Sequence, residues 1–138
     1  MSELILYYSL GGSTKRYAEK RARETGADLA EVLLVKPKGI VGAFCPGVPQ
    51  SWKLKRLPIK PIEVDFDKYD KIVVAAPVWG GAQAAPINAG IDLIPEGKTV
   101  EGVLVSGGGD AKEGKFPEIF AERDITDYTV TNIKGSEI

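Results

Sequence analysis

Short runs of apolar residues recur along the chain and are separated by stretches with helical or turn character. Residues 4–8, 71–76 and 102–106 are apolar at almost every position. A strand with this pattern is typical of the centre of a parallel sheet that is covered on both faces. Residues 29–35 and 125–133 mix polar and apolar positions, which indicates strands nearer the sheet edges. The pattern therefore predicts five strands.

Helix candidates lie between these runs. Residues 14–24 are rich in helix formers, and Gly26 stands where a C-terminal cap belongs. Residues 86–94 form a shorter candidate whose first turn tolerates Pro86, and residues 111–122 form a third. Alternating strands and helices predict βαβ units with right-handed crossovers. We therefore expect an α/β fold: a doubly wound, five-stranded parallel sheet in the order 2-1-3-4-5, with helices on both faces.

The segment 36–61 is the least regular part of the sequence. Its prolines and glycines exclude a long regular helix. The sequence predicts a short helical piece at residues 40–44, followed by an irregular stretch that carries Cys45 and Trp52. We interpret Cys45 as an inert thiol and Trp52 as a packing residue of this stretch. Contact between Trp52 and a bound ligand is the less favoured alternative.

The composition narrows the chemistry that the chain can perform. A chain of 138 residues and 14.8 kDa suits one domain, so residues 1–138 are expected to form a single domain. The sequence contains no histidine and a single cysteine. This excludes His-based triads and argues against a metal site. Chemistry must therefore come from a bound cofactor or from carboxylate, hydroxyl, Lys and Tyr side chains.

Charge and hydropathy limit the partners. Lys and Arg number 18 against 19 for Asp and Glu, which gives a formal net charge of -1 and indicates no nucleic-acid partner. No apolar run approaches the ~18 residues that a membrane span needs. The N-terminal segment carries Glu3 and lacks the cleavage site of a signal peptide. We expect a cytoplasmic protein without a membrane partner.

The first candidate binding site is the turn between the first strand and the first helix. Its glycines allow positive φ and a close backbone approach, and successive N–H groups can form an anion nest at the helix N-terminus. Three hydroxyls add neutral donors. The spacing matches neither a Walker A loop nor a dinucleotide fingerprint. The turn therefore predicts a phosphate site, with a merely capped strand-to-helix turn as the alternative. The candidate residues are Ser9, Gly11, Gly12, Ser13 and Thr14.

Two more glycine-rich segments follow the third and fourth predicted strands. In the first, an exposed Trp79 could stack on a planar ring, whereas a Trp packed in the core is the alternative. The second could wrap its backbone around a ligand or serve as a flexible connector. Because the first, third and fourth strands are consecutive neighbours in the order 2-1-3-4-5, their three C-terminal loops converge on one crevice. The sequence thus predicts a phosphate at the first loop and an aromatic ring between the other two. These segments add Pro77, Val78, Trp79, Gly80, Gly81, Ser106, Gly107, Gly108, Gly109 and Asp110 to the predicted site.

Two of these segments resemble known motifs. YYSLGGSTKRYAEK resembles the phosphate loop of the flavodoxin family, whose usual form is close to S/T-x-T-G-x-T. KYDKIVVAAPVWGG resembles the family's third strand and first flavin-flanking loop. The similarity runs from residue 4 to about residue 133 and implies a flavodoxin-like fold with noncovalently bound FMN. It implies that the first loop holds the phosphate, that residues 77–81 flank the isoalloxazine and that residues 106–110 contact its pyrimidine edge.

The chain departs from the family pattern in three respects. Gly11 stands where a Thr is common, and the third loop has glycines where many flavodoxins place a stacking Tyr. The charge is balanced, whereas many electron-carrier flavodoxins are strongly acidic.

Three functions follow from these considerations. The favoured one is an FMN-binding flavodoxin-like protein that transfers electrons to redox partner proteins or a small-molecule acceptor, as a carrier rather than a stand-alone reductase. The first alternative is an NAD(P)H-dependent FMN or quinone oxidoreductase of the same fold. The second alternative is a flavin-free protein-interaction domain.

Overall fold

The computed structural model describes residues 2–37, 47–107 and 111–138. The predicted helical piece at residues 40–44 and Cys45 therefore lie outside the described residues. The strands are β1 (Glu3–Tyr7), β2 (Asp28–Glu31), β3 (Lys71–Trp79), β4 (Ala82–Gln83), β5 (Thr99–Ser106) and β6 (Tyr128–Lys134). The helices are α1 (Ser13–Thr25), α2 (Gly47–Trp52), α3 (Pro86–Ile91) and α4 (Phe116–Glu122). Short 3-10 helices occupy Phe66–Lys68 and Gly135–Glu137.

The main strands form a parallel sheet in the order β2-β1-β3-β5-β6. This arrangement confirms the predicted order of five strands. Outside this parallel order, the two-residue strand β4 pairs antiparallel with the end of β3 and adds a sixth strand that the sequence pattern does not predict. The third strand does not end at Ala76 but continues to Trp79. Gly80 and Gly81, with φ of 65° and 89°, then reverse the chain into a tight hairpin.

Side chains from alternate strand positions fill two cores, one on each face of the sheet. In β1, Leu4 and Leu6 pack into the larger core, whereas Ile5 and Tyr7 pack into the core beneath α1. This alternation is the ordinary geometry of a strand. Burial on both faces explains why the central strands are apolar at nearly every position.

The helices match the predictions at some ends and not at others. α1 agrees closely, and Gly26 caps it with φ 77° and an N–H donated to the Ala22 carbonyl. α3 ends at Ile91 rather than at residue 94. α4 starts at Phe116 rather than at residue 111, because positive φ at Lys112 and Gly114 keeps the preceding turns out of the helix. The predicted strand at 29–35 is shorter, Asp28–Glu31, with an isolated bridge from Leu34 to Ile59.

A half-buried ion-pair cluster lies toward the amino-terminal ends of the central strands. Arg21 on α1 contacts Glu101 at 2.8 Å and Glu3 at 3.0 Å, and Lys71 contacts Glu101 at 3.0 Å. Burial raises the pKa of the Glu101 carboxyl, but hydrogen bonds from Arg21 and Lys71 outweigh it and bring this pKa down to about 2. The hydrogen bond to Glu101, with those to Glu3 and Tyr17, raises the pKa of Arg21 against the opposing effect of burial. This cluster fastens α1 to the sheet at the end opposite to the predicted ligand loops.

Candidate functional site

A cavity of about 280 Å³ opens at the carboxyl edge of the parallel sheet. Its volume lies close to the lower end of ligand pockets, which span roughly 300 to 1,000 Å³. The first loop, the end of β3 and the end of β5 all contribute to its wall, as the sequence predicts. The lining residues are Leu10, Gly11, Ser13, Thr14, Pro77, Val78, Trp79, Val105, Ser106, Gly107 and Gly135.

The turn from β1 into α1 is stabilised by a hydrogen bond between a side chain and a backbone group of the turn itself. Ser9 does not line the cavity, because its Oγ accepts a hydrogen bond from the Gly12 N–H at 3.1 Å. Gly12 is the N-cap of α1 and has φ 98°, a conformation that L residues rarely adopt. A Cβ at Gly11 would meet nothing within 4 Å, so the chain is open to the cavity side at that position.

The amino end of α1 supplies the polar part of the cavity wall. The first N–H groups of a helix have no carbonyl partner within the helix, and they carry the positive end of its dipole. Thr14 is only 1% exposed, lines the cavity, and its hydroxyl has no hydrogen-bond partner among the described residues. Ser13 also lines the cavity, and its Oγ accepts a hydrogen bond from Arg16 at 3.2 Å. The hydroxyl of a buried residue beside the first N–H groups of a helix suits an anion with several acceptor oxygens.

The hairpin after β3 places its residues differently from the sequence prediction. Pro77 and Val78 line the cavity. Trp79 also lines it, but the expectation of an exposed ring is wrong: the residue is 5% exposed and packs in the larger core. Its ring meets Tyr8 edge-on at 5.8 Å. Gly80 and Gly81 form the turn of the hairpin and lie outside the cavity lining.

The exposed tryptophan at this edge is Trp52, which the sequence analysis placed in an irregular stretch as a packing residue. It lies at the end of the short helix α2 and is 50% exposed. Its indole N–H donates to the Gly80 carbonyl at 2.6 Å, and its ring lies 3.6 Å from the position of a Cβ at Gly81. The Lys115 ammonium lies 4.4 Å from the ring centroid, within cation–π range. Trp52 thus bridges the hairpin turn and the segment that precedes α4.

Buried neutral side chains hold α2 against the hairpin. Ser51 is fully buried and accepts the Ala85 N–H at 3.0 Å. The Gln83 amide donates to Asn88 at 3.2 Å and accepts the Lys115 N–H at 2.8 Å. Asn88 in turn donates to the Lys55 carbonyl at 3.3 Å. We call Ser51, Gln83 and Asn88 the amide seam, because their hydrogen bonds join the segment around α2, the hairpin and the approach to α4.

The third predicted segment is described only in part. Ser106 and Gly107 line the cavity, and a Cβ at Gly107 would meet nothing within 4 Å. Gly108, Gly109 and Asp110 lie outside the described residues. Gly135 also lines the cavity, although it was not among the predicted site residues. A Cβ at this position would lie 3.4 Å from Ser13 Oγ. A glycine directly after a strand at the same sheet edge is the signal that could have found it.

Two features are absent from the described part of the chain. No group of three or more Cys, Asp and Glu side chains there is placed to hold a metal ion. No helix in these ranges has the length and apolar character that crossing a membrane requires.

Solved structures with the same architecture decide the fold. A candidate flavoprotein from Bacteroides eggerthii DSM 20697 superposes with a TM-score of 0.82 and 20% identity, over 99% of this chain and 92% of that one. The chain has the flavodoxin-like fold. The resemblance drawn from the two sequence motifs is thereby confirmed at the level of the fold.

Two further solved structures are similar to this flavodoxin-like chain, with different TM-scores and identities. A flavoprotein from Lactobacillus acidophilus NCFM, solved in complex with FMN, superposes with a TM-score of 0.74 and 26% identity, over 99% of this chain and 94% of that one. An NADH:FMN oxidoreductase in its apo form superposes with a TM-score of 0.58 and 13% identity, over 99% and 77% of the two chains. No protein-family model and no curated protein matches the sequence.

Proposed function

We propose that this chain binds FMN in the cavity at the carboxyl edge of the sheet and acts as an electron-transfer flavoprotein. The observation that carries the proposal is the junction of the α1 N-terminus, where the buried residue Thr14 lines the cavity, and the ends of β3 and β5. The Lactobacillus flavoprotein, which spans nearly the same length and was solved with FMN, supports the choice of ligand.

The residues present fit a phosphate ester at one end of the cavity. Thr14, Ser13 and the first N–H groups of α1 offer donors to a dianion, and Gly11 leaves room for it. Pro77 and Val78 on one side, with Ser106 and Gly107 on the other, would flank the planar part of the ligand. The assignment of Gly108, Gly109 and Asp110 to the pyrimidine edge stays a prediction from the family resemblance.

The chemistry of the residues that line the cavity favours an electron carrier. FMN, when bound, supplies reversible acceptance of electrons, and the protein supplies binding and orientation. None of the described residues that line the cavity has an ionisable side chain. A carrier needs no acid or base from the protein, whereas many reductions of organic substrates require a proton donor. Redox proteins or a small electron acceptor are therefore the proposed partners.

One observation favours the reductase of the same fold as a second candidate. A reductase needs a place for a second ligand beside the flavin, and the irregular segment 36–61 could line that place. Trp52 from this segment lies half-exposed against the turn that follows the cavity wall, with Lys115 beside its ring. An exposed indole next to a cation could receive a planar, negatively charged substrate.

Flavin binding by the purified chain tests the first proposal. We expect FMN to bind with quenching of its fluorescence and riboflavin to bind much more weakly, because the riboflavin ribityl end lacks the dianion. Absence of flavin binding would favour the flavin-free interaction domain. With FMN bound, steady oxidation of NADH or NADPH without a protein partner would support the reductase, and its absence would support the carrier.

A further inference from the structure

The charges at the amino end of α1 have an unfavourable sign for the helix itself. Negatively charged side chains stabilise the first turn of a helix, and cations stabilise the last. The first turn of α1 contains no acidic residue, and it carries Lys15 and Arg16 instead. Sequences that break a local rule without internal compensation often do so at functional sites. An anion bound at this helix terminus would interact favourably both with the helix dipole and with these two cations.

Arg16 is exposed, and its side chain folds back over the turn. Its Nη2 donates to Ser13 Oγ at 3.2 Å, and its Nη1 lies 3.7 Å from the position of a Cβ at Gly12. Side chains on a helix point toward its N-terminus, so this placement needs no unusual geometry. The guanidinium therefore lies beside Ser13, a residue that lines the cavity.

No carboxylate among the described residues neutralises this guanidinium. Arg21 pairs with Glu3 and Glu101, and Arg56 pairs with Asp92, whereas no ion pair joins Arg16 to an acidic side chain in the described ranges. Its planar fork retains donors for an oxyanion with several acceptor oxygens. The described cavity wall itself offers only neutral donors, and Arg16, beside Ser13, is a cation placed to balance a dianion there.

We propose that Arg16 recognises the phosphate dianion of the ligand and makes the cavity selective for phosphate monoesters over their uncharged analogues. Thr14 is the independent support, because this residue is 1% exposed, lines the cavity beside Ser13, and makes no side-chain hydrogen bond in the described part of the chain. The inference rests on the proposed FMN function. It assigns the discrimination between FMN and riboflavin to one side chain in addition to the loop.

Flavin titrations of matched variants test the assignment. Arg16→Gln removes the cation and keeps a polar side chain. Lys15→Gln is the matched control, because it removes the same charge from the neighbouring exposed position. FMN and riboflavin are titrated by fluorescence at low salt and at about 1 M salt, where charges are screened beyond ~3 Å.

The expected pattern separates this inference from the proposed function. Arg16→Gln should weaken FMN binding about fivefold at low salt, the scale of an exposed charge-assisted contact, and leave riboflavin unchanged. Lys15→Gln should change FMN affinity less than twofold, and Arg16→Lys should fall between Arg16→Gln and the unsubstituted chain. Salt should weaken FMN binding more in the unsubstituted chain than in Arg16→Gln.

Thermal unfolding provides a second readout with opposite signs. Without ligand, Arg16→Gln should unfold at a temperature no lower than the unsubstituted chain, because a cation leaves the positive end of the helix dipole. With saturating FMN, it should gain less stability than the unsubstituted chain. Equal losses of FMN affinity in Arg16→Gln and Lys15→Gln would overturn the role of Arg16. Equal affinities of the unsubstituted chain for FMN and riboflavin would instead contradict the proposed phosphate site.

Discussion

Neutralising Glu101 should destabilise the chain at neutral pH and lose its effect in acid. In Glu101→Gln the side chain keeps its shape but loses its charge toward Arg21 and Lys71. The fall of the Glu101 pKa from 4.5 to about 2 corresponds to about 3 kcal/mol at 1.36 kcal/mol per unit. The carboxylate and its partners remain 12% to 25% exposed, so solvent screening reduces the expected loss to about 2 kcal/mol.

The pH dependence gives this prediction its sign. A carboxyl whose folded pKa is depressed stabilises the fold above its unfolded pKa, and this stabilisation is lost as the pH falls toward the folded value. Urea unfolding of both chains should show a difference of about 2 kcal/mol at pH 7 that shrinks between about pH 4.5 and 2. Glu63→Gln is a suitable control because Glu63 is exposed and has no ion pair in the described ranges. A difference that stays constant through this pH window would refute the reasoning.

Three further predictions concern the cavity and its rim. Thr14→Val should weaken FMN binding by about 1–3 kcal/mol while Thr14→Ser largely restores it, as fluorescence titration would show. Gly12→Ala should lower the free energy of unfolding by about 1–2 kcal/mol because φ is 98°, whereas Gly11→Ala should leave stability nearly unchanged. Equal losses of stability in denaturant unfolding of the two variants would contradict the backbone conformation assigned to Gly12. Trp79→Ala should cost about 3–5 kcal/mol of stability, whereas Trp52→Phe should cost only about 1 kcal/mol; the reverse order would contradict the buried and exposed positions assigned to the two rings.

The sheet could be predicted because its order follows from patterns that are local in the sequence. The apolar runs of β1, β3 and β5 indicate central strands, and the turn of glycines after β1 lies where a helix begins. The sixth strand was missed because two residues, Ala82 and Gln83, give no periodic signal of their own. The start of α4 was not predicted, because a lysine residue gives no indication of the positive φ that Lys112 adopts.

The candidate site was predictable to the extent that it consists of loops at strand ends. Gly11, Thr14, Pro77 and Ser106 all line one cavity, as the shared sheet edge requires. The roles of the two tryptophans could not be assigned, because burial depends on which distant residues pack against each ring. Trp79 packs in the larger core with its ring edge-on to Tyr8, whereas the position of Trp52 depends on its own hydrogen bond to Gly80 and on that of its neighbour Ser51.

The amide seam also determines how binding measurements on this chain can be interpreted. Ser51, Gln83 and Asn88 are uncharged and wholly buried, and their other partners are backbone groups. Neither protonation nor added electrolyte acts directly on such bonds, in contrast to the cluster around Arg21 at the opposite end of the sheet. A change in ligand affinity when salt is added to the folded chain therefore reports the charges of the ligand and of the cations beside it. The hydrogen bonds of the amide seam are the same with and without the added salt.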